Sequence, residues 1–301
     1  MLKVVSVSLG SSSRDKTTRA TFLDQQVELS RQGTDGDMKK AIALIASLDG
    51  QVDAIGLGGI DLYLCAGKRK YIIRDAKKLA SAAKVTPIVD GSGLKLTLER
   101  RVVESLATDF EGPPLKGARV LLVSSVDRWG MAETLAAHAK EIVFGDLLYA
   151  LGIPIPLRTL RGVERLARVV APIITQLPFS MLYPTGEKQK VHKPKHTEYF
   201  LWADWICGDF HYIRRNLPPR LDGKVILTNT TTAEDRELLR GRGCSYLITT
   251  TPVLDGRSFG MNVLEGCIVA LIRQRGDIVS PETIEVYLNK LDLKPNIERL
   301  N

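Results

Sequence analysis

The stretch VLLVSSVDRWGMAETLAAHAKEIVFGD, Val120–Asp146, decides the predicted fold. A short apolar run, 120–123, leads into a turn of small and polar residues and then into a helical segment, 130–139. A second apolar run, 141–144, follows and stops just before Asp146. Strand, turn, helix and strand in this order are typical of a parallel βαβ unit, so the stretch predicts an α/β protein.

The turn after the first of these strands predicts a dinucleotide site. Free backbone N–H groups and the dipole of a helix N-terminus bind a diphosphate, and we expect Ser124, Ser125, Arg128 and Gly130 to provide this contact. Asp146 follows about 20 residues later, the separation at which an acid binds an adenosine ribose. Its carboxylate would repel the 2′-phosphate of NADP, so NAD is the predicted cofactor. The alternative is that Asp146 caps a turn.

The same alternation of strand and helix patterns continues along the chain. The predicted strands lie at 4–9, 21–30, 52–57, 85–89, 118–123, 141–144, 205–207, 225–227 and 246–249. The predicted helices lie at 37–48, 76–83, 94–107, 130–139, 160–172, 233–242 and 259–273, with a last one starting at Pro281.

A linker rich in glycine and proline, residues 110–117, divides the chain into two predicted domains. Residues 1–110 are predicted to form an α/β substrate domain, completed by helices within 266–301. Residues 111–265 are predicted to form a Rossmann-like, doubly wound dinucleotide-binding domain, with a cleft between the two domains. The polar and basic stretch 179–199 is predicted to be an inserted lid.

Composition points to an ordinary globular protein, with 44% hydrophobic and 25% charged residues. The net charge of +8 is dispersed along the chain, so it supports a nucleic-acid partner only weakly. We expect no membrane-spanning segment, no secretory leader and a cytoplasmic location. The cysteines are far apart, which predicts buried reduced thiols and no metal site; they are Cys65, Cys207, Cys244 and Cys267.

Several segments, in order, resemble the shikimate/quinate dehydrogenases, in particular a divergent bacterial branch named quinate 5-dehydrogenase. The run 10–13, Gly-Ser-Ser-Ser, resembles the family's Ser-x-Ser substrate loop, and 89–93, Val-Asp-Gly-Ser-Gly, resembles the motif before its interdomain linker. The segment 203–208 is similar to the strand that ends over the nicotinamide ribose. The segment 258–265 is similar to the family's late Gly-x-x-Met-x-x-x-Gln helix start.

The resemblance implies roles for named residues. Asp90 would be the carboxylate of a catalytic Lys–Asp pair, and Lys68 its lysine, with Lys70 and Lys95 as alternatives. Asp90 alone also fits a turn preceding a glycine. The residues implied for substrate binding are Ser11, Ser13 and Glu265, and those for the cofactor include Gly208 and Gly260. The two serines equally suit a turn that satisfies its own backbone, and Glu265 equally suits a helix cap.

The predicted function is therefore an NAD-dependent oxidoreductase that transfers hydride from a ring hydroxyl of a quinate- or shikimate-like acid. Its partner would be a small anionic polyhydroxy acid, and a homodimer is one possible assembly. One alternative is a non-catalytic sensor that binds a nucleotide or metabolite on the same fold. Another is an S-adenosylmethionine-dependent methyltransferase, because an acid after the second strand can also hold that cofactor's ribose.

Overall fold

Two predominantly parallel β-sheets organise the chain in the computed structural model, which describes residues 1–182, 194–251, 253–254, 257–258 and 260–301. The α/β class predicted from the alternating pattern is confirmed. The strands, in chain order, are β1 (Leu2–Ser8), β2 (Lys16–Phe22), β3 (Gln25–Gly33), β4 (Ala54–Gly58), β5 (Tyr63–Ala66), β6 (Arg69–Ile72), β7 (Ile88–Val89), β8 (Arg119–Leu122), β9 (Glu141–Phe144), β10 (Trp205–Cys207), β11 (Val225–Thr228), β12 (Tyr246–Thr249), β13 (Val253–Leu254), β14 (Arg257–Ser258) and β15 (Asn296–Arg299).

The helices surround these sheets. They are α1 (Met38–Leu48), α2 (Arg74–Ala80), α3 (Ser92–Asp109), α4 (Trp129–His138), α5 (Leu160–Ile174), α6 (Phe179–Leu182), α7 (Thr197–Trp202), α8 (Phe210–Asn216), α9 (Ala233–Gly241), α10 (Met261–Gln274) and α11 (Pro281–Leu291). A one-turn 3₁₀ helix, Ser12–Arg14, follows β1, and a π-helix, Asp146–Leu151, follows β9.

The two sheets arrange their parallel strands in the same order. The first runs β2-β3-β1-β4-β7 and the second β15-β12-β11-β10-β8-β9, with β2 and β15 antiparallel to their neighbours. In each sheet the parallel strand that comes first in the chain, β1 or β8, has neighbours on both sides. The second parallel strand, β3 or β9, lies on one side of it, and the later parallel strands lie on the other side. The connections therefore change direction between β1 and β4 and between β8 and β10. A crevice forms at such a point outside the carboxyl ends of the strands.

The hairpins β2–β3 and β5–β6 were not predicted from the sequence. Residues 21–30, predicted as one strand, contain a turn at Leu23 and Asp24, whose φ angles are 48° and 66°. This left-handed conformation reverses the chain, so that β2 and β3 pair antiparallel. The second hairpin consists of β5 and β6, which pair only with each other. Neither turn contains the Asn-Gly or Asp-Gly pair that usually signals a hairpin.

Alternate residues of the strands point into different apolar cores, as the two-residue period of a strand requires. On β1, Val4 faces a central core, and Val5 faces an outer core covered by α1 and α2. On β8, Leu122 faces the same central core, and Leu121 faces an outer core covered by α7, α8 and α9. Helices α3, α4, α10 and α11 fill the central core, which is continuous between the sheets.

The chain passes between the sheets three times: from α3 to β8, from β12 to α10, and from α11 to β15. We name the first sheet with the β5–β6 hairpin, α1–α3, α10 and α11 the first unit, and the second sheet with α4, α5 and α7–α9 the second unit. Helix α10 packs on β4 and β1, whereas β15 pairs with β12 in the second sheet. The domain limits drawn from the sequence stay a prediction.

The predicted lid, 179–199, is only partly described, because residues 183–193 lie outside the described residues. At its beginning, Phe179 is buried in the outer core of the first unit, and its N–H donates to the Asp75 carboxylate at 2.9 Å. Within the described ranges, the helices lack the combined length and apolar character that crossing a membrane requires.

Helix α4 of the second unit lies close to the backbone of α3 of the first unit at Gly130, so one added methyl group there is expected to destabilise the protein. A Cβ on Gly130 in α4 would lie 2.6 Å from the carbonyl oxygen of Leu96 and 2.7 Å from that of Lys95, both on α3. We expect Gly130→Ala to lower the free energy of unfolding by about 1–3 kcal/mol, because backbone cannot move aside as a side chain can. Urea unfolding measures this difference.

Gly241→Ala is the matched control, because Gly241 also lies in a helix and a Cβ there would meet nothing within 4 Å. Alanine should stabilise the protein there by about 0.4–1 kcal/mol. Equal effects of the two substitutions would contradict the close packing of α3 on α4.

Candidate functional site

Charged side chains meet where the carboxyl ends of the two sheets face each other. Asp61 follows β4, and Asp127 and Arg128 follow β8. Lys95 and Glu99 lie one turn apart on α3, on the face directed toward the second unit. We call this group the cleft cluster; it comprises Asp61, Asp90, Lys95, Glu99, Asp127, Arg128, Asp209 and Glu265.

Lys95 and Asp61 form an ion pair within the first unit. The Nζ–Oδ1 distance is 2.6 Å, and the two side chains are 11% and 19% exposed. Burial raises the pKa of Asp61 to about 6, although Lys95 opposes the rise. Burial alone would lower the pKa of Lys95, but the carboxylates of Asp61 and Asp127 outweigh it, so the pKa lies above its ordinary value and the ammonium stays charged.

Arg128 joins the two units. Its Nη1 donates to Glu99 of α3 in the first unit, and its Nη2 donates to Asp209 after β10 at 3.2 Å. Asn229, after β11, donates to the same Asp209 oxygen at 2.9 Å. The side chains of Arg128 and Glu99 are 1% and 0% exposed. Glu99 Oε2 and Arg128 Nε are buried without a hydrogen-bond partner.

The electrostatic environment differs along this chain of contacts. Burial raises the pKa of Glu99 to about 7, against the attraction of Arg128. At Asp209 burial also favours the neutral form, but His211 and Arg128 outweigh it and hold the pKa at about 2. The cluster therefore holds charged groups in a buried environment. In such an environment hydrogen bonds and charge interactions are stronger than on the surface.

Asp90 and Glu265 hold the turn between β7 and α3. Asp90 accepts hydrogen bonds from the N–H groups of Leu62 at 2.5 Å and Ser92 at 3.0 Å. Glu265, on α10, accepts from the N–H groups of Gly91 at 2.6 Å and Gly93 at 3.1 Å. The structure thus brings both predicted residues to the edge of the cluster, where backbone N–H groups occupy their oxygens.

The predicted dinucleotide turn is closed by its own side chains. Ser125 donates to Asp146 through its N–H at 2.9 Å and its hydroxyl at 2.5 Å, and the Val126 N–H donates at 3.2 Å. Ser124 donates to Asp127 through its hydroxyl. Asp146 therefore lies beside the predicted turn, as expected, but it takes up the N–H groups that a diphosphate would need.

The other predicted residues are not members of the cluster. Lys68 is exposed at the turn between β5 and β6, whereas Lys95, considered as an alternative, is the buried lysine. Ser11 and Ser13 share a hydrogen bond of 2.8 Å between their hydroxyls at the start of the 3₁₀ helix. Of the predicted glycines, Gly130 contacts α3, Gly208 packs against Val123 with a φ of 122°, and Gly260 precedes the first turn of α10.

Sequence reasoning missed Asp61, Glu99, Asp127, Asp209 and Asn229. A shared signal was available for most of them, because Asp61, Asp127, Asp209 and Asn229 each follow the carboxyl end of a parallel strand. Such positions meet at one edge of a sheet. Glu99 gave no such signal, since a charged residue in a long helix is normally on the solvated face.

Two depressions of the described surface lie elsewhere. One of about 460 Å³ lies between the 3₁₀ helix and α1, where Asp15 and Lys40 are among its lining residues. One of about 150 Å³ lies beside the π-helix, lined in part by Lys195 and Asn216. Neither includes a residue of the cleft cluster, and neither gathers buried charged groups as the cluster does.

Glu265 predicts a pH dependence of stability. Burial, with Asp90 adding to it, raises the pKa of Glu265 to about 8, against the hydrogen bonds from Gly91 and Gly93. Because the folded protein binds the Glu265 proton more tightly than the unfolded protein does, protonation of Glu265 stabilises the fold. This contribution is fully present below the unfolded pKa of about 4.3 and is lost as the pH rises to about 8. Glu265→Gln should flatten this decline by up to about 1.4 kcal/mol per pH unit, measured by urea unfolding between about pH 5 and 8.

The control is Glu285→Gln, a substitution of an exposed glutamate on α11. It should leave the pH dependence of unfolding as it is in the unchanged protein. Parallel curves for the unchanged protein and Glu265→Gln would show that Glu265 is ionised throughout.

Comparison with known proteins returns solved structures but no curated protein that matches by sequence. A glucose-galactose binding protein from Geobacillus stearothermophilus has a TM-score of 0.42 and 9% identity, over 99% of this chain and 97% of its own. A periplasmic solute binding protein of an ABC transporter from Actinobacillus succinogenes, with bound D-allose, has a TM-score of 0.37 and 10% identity, over 93% and 94%. One from Agrobacterium vitis, with α-D-tagatopyranose, has a TM-score of 0.35 and 9% identity, over 93% and 91%. These values are too low to transfer a ligand to this chain.

The comparisons overturn the predicted identity. The two family models that match the chain are models of domains of unknown function and not of the shikimate/quinate dehydrogenases, so the resemblance to that family is wrong. The predicted NAD-dependent oxidoreductase and its cofactor NAD are wrong with it, and the sensor and methyltransferase alternatives gain no support. The physical reason lies in the turn after β8, where Asp146 already accepts hydrogen bonds from Ser125 and Val126. Serines in place of the expected glycines make a side-chain network there instead of an open cradle.

Two family models cover the chain. Residues 3–90 match a domain of unknown function, DUF8753, and residues 93–300 match another, DUF8754. The boundary between the matches falls at the Asp90–Gly93 turn that Glu265 holds. This chain belongs to the family described as domain of unknown function DUF8754.

Proposed function

We propose that this chain binds a small polyhydroxy ligand in the cleft between its two units, at the cleft cluster. The observation that carries the proposal is that charged side chains of both units meet at the carboxyl ends of the two sheets, beside the points where the strand order of each sheet forms a crevice. In open α/β sheets, ligands bind in such crevices. A ligand in this space would contact both units at once.

The chemistry of the cluster suits hydroxyl groups. Asp61, Asp127 and Asp209 are 19%, 13% and 19% exposed, so their oxygens lie nearer to the solvent than the fully buried Glu99. Each carboxylate oxygen can accept two hydrogen bonds, and the Lys95 ammonium has three donors, one of which goes to Asp61. A polyol that donates and accepts from neighbouring hydroxyls satisfies both kinds of group.

The charge of the site refines the predicted partner. The cleft cluster contains six carboxyl groups and two cationic groups, Lys95 and Arg128. An anionic ligand would enter a space with an excess of negative charge and little water to screen it. The cluster therefore favours a polyhydroxy ligand without a carboxylate over the anionic acid predicted from the sequence.

Entry of the ligand requires the units to separate. In this structure they are closed, because α3 packs on α4 and the Cys65 N–H on β5 donates to the Val126 carbonyl of the second unit at 2.6 Å. The three passages of the chain between the units can act as hinges, since a few residues at element ends absorb such a rotation. Ligand contacts to both units would then favour the closed arrangement.

The cysteines support the predicted cytoplasmic location. All four lie among the described residues, and they are buried and free of disulfides. Burial raises the pKa of the Cys207 and Cys267 thiols above the ordinary range, which keeps them protonated and unreactive. Free thiols suit a reducing compartment. The homodimer stays a prediction, which a measurement of molecular mass in solution tests.

Ligand binding is tested with neutral polyols. We expect at least one of D-glucose, D-galactose, D-allose, D-ribose and myo-inositol to stabilise the protein in a thermal unfolding scan. At 100 times its Kd a ligand adds about 2.7 kcal/mol to the free energy of unfolding. Asp61→Asn should weaken the affinity of that ligand about tenfold or more, because a charge-assisted hydrogen bond is lost. Calorimetric titration measures the affinity.

Lys68→Gln is the control, because Lys68 belongs to the same unit but is exposed away from the cluster. It should bind the same polyol with unchanged affinity. If no polyol of the panel stabilises the protein, or if the two variants bind equally well, the cleft is not a polyol site.

A further inference from the structure

We propose that the ligand of the cleft carries a protonated amino group beside its hydroxyls, so that an amino sugar is preferred over the neutral sugar of the same shape. This inference rests on the proposed polyhydroxy ligand and adds a charge to it. Its basis is a carboxylate of the cluster that lacks a cation of its own, together with a buried carboxylate oxygen that lacks a donor.

Asp127 is the carboxylate without its own cation. The Lys95 ammonium is taken by Asp61 at 2.6 Å, and the Arg128 guanidinium donates to Glu99 and Asp209. The contact of Asp127 with Arg128 is longer, 3.7 Å from Nε to Oδ2, and its other oxygen accepts the Ser124 hydroxyl. Two cations thus face four carboxylates at the centre of the cluster.

The buried Oε2 of Glu99 is the second observation. Glu99 is 0% exposed, its Oε1 accepts from Arg128, and its Oε2 has no hydrogen-bond partner. A buried acceptor without a donor destabilises the folded protein, because its hydrogen bond to water is lost and not replaced. The Nε of Arg128 is buried and unpartnered in the same place, so the centre of the cluster lacks both a donor and an acceptor. A ligand with an ammonium and a hydroxyl supplies both.

An ammonium fits this place better than a metal ion does. Among the residues that the structure describes, no three Asp, Glu, His or Cys side chains converge as metal ligands. An ammonium offers three N–H donors to separate carboxylates and needs no such convergence.

The experiment compares matched sugars on the full chain by calorimetric titration at about pH 7. The probes are D-glucosamine, D-galactosamine and D-mannosamine, each with its parent hexose and its N-acetyl derivative, in which the nitrogen is uncharged. We expect at least one amino sugar to bind about tenfold or more tightly than both of its uncharged counterparts. In Asp127→Asn, this ratio should fall about tenfold, with little change for the parent hexose.

Asp222→Asn is the matched control, because Asp222 is an exposed aspartate of the second unit paired with Arg220. It should keep the preference of the unchanged protein. The comparison of sugars on the unchanged protein needs no variant, so it decides the inference even if Asp127→Asn does not fold.

Three results would overturn the inference in distinguishable ways. Parent hexoses that bind as tightly as the amino sugars would remove the charge requirement and leave the polyol site standing. Stabilisation by Ca²⁺ or Mg²⁺ without any amino sugar binding would make the cluster a metal site. Binding of no sugar of any kind would remove the proposed function together with the inference.

Discussion

The Arg128 guanidinium, buried between Glu99 of the first unit and Asp209 of the second, is the interaction on which the arrangement of the molecule depends. Removing one partner of such a buried pair leaves an uncompensated charge out of water, which typically costs about 3–5 kcal/mol. In the described arrangement Arg128 therefore holds α3 and the end of β10 on either side of it. The close approach of Gly130 to α3 is the steric counterpart of this electrostatic constraint.

The same constraint shapes the chemistry of the cleft. The contact between the units buries several carboxyl groups, and burial raises the pKa of Glu99 to about 7 and that of Glu265 to about 8. Backbone N–H groups donate hydrogen bonds to the carboxyl groups of Glu265 and Asp90, so these two side chains hold the main chain in place. The buried groups with unused donors and acceptors, Arg128 and Glu99, lie nearer the centre, where the proposed ligand site is.

Local sequence patterns predicted the strands and helices well, but they predicted poorly which groups the side chains bind. The stretch around β8, α4 and β9 folds as its apolar runs predicted, because strand and helix periods are properties of neighbouring residues. Asp146 also lies beside the serine turn, as the spacing required. From this spacing Asp146 was predicted to bind a ribose, whereas its carboxylate accepts a hydrogen bond from the Ser125 hydroxyl. Spacing places an acid near a turn but does not tell which group it binds.

The sequence by itself determined the α/β class, the order of most strands and helices, and a polar edge after β7 and β8. Only the tertiary structure decided which charges meet. Lys68 and Lys95 are alike as residue types, yet one is exposed on a hairpin and the other is paired with Asp61 in the cleft. The physical reason is that this ion pair depends on how α3, which carries Lys95, is oriented against the end of β4, which precedes Asp61. That orientation is set by the apolar core shared by α3, α4, α10 and α11, whose contacts join residues far apart in the chain.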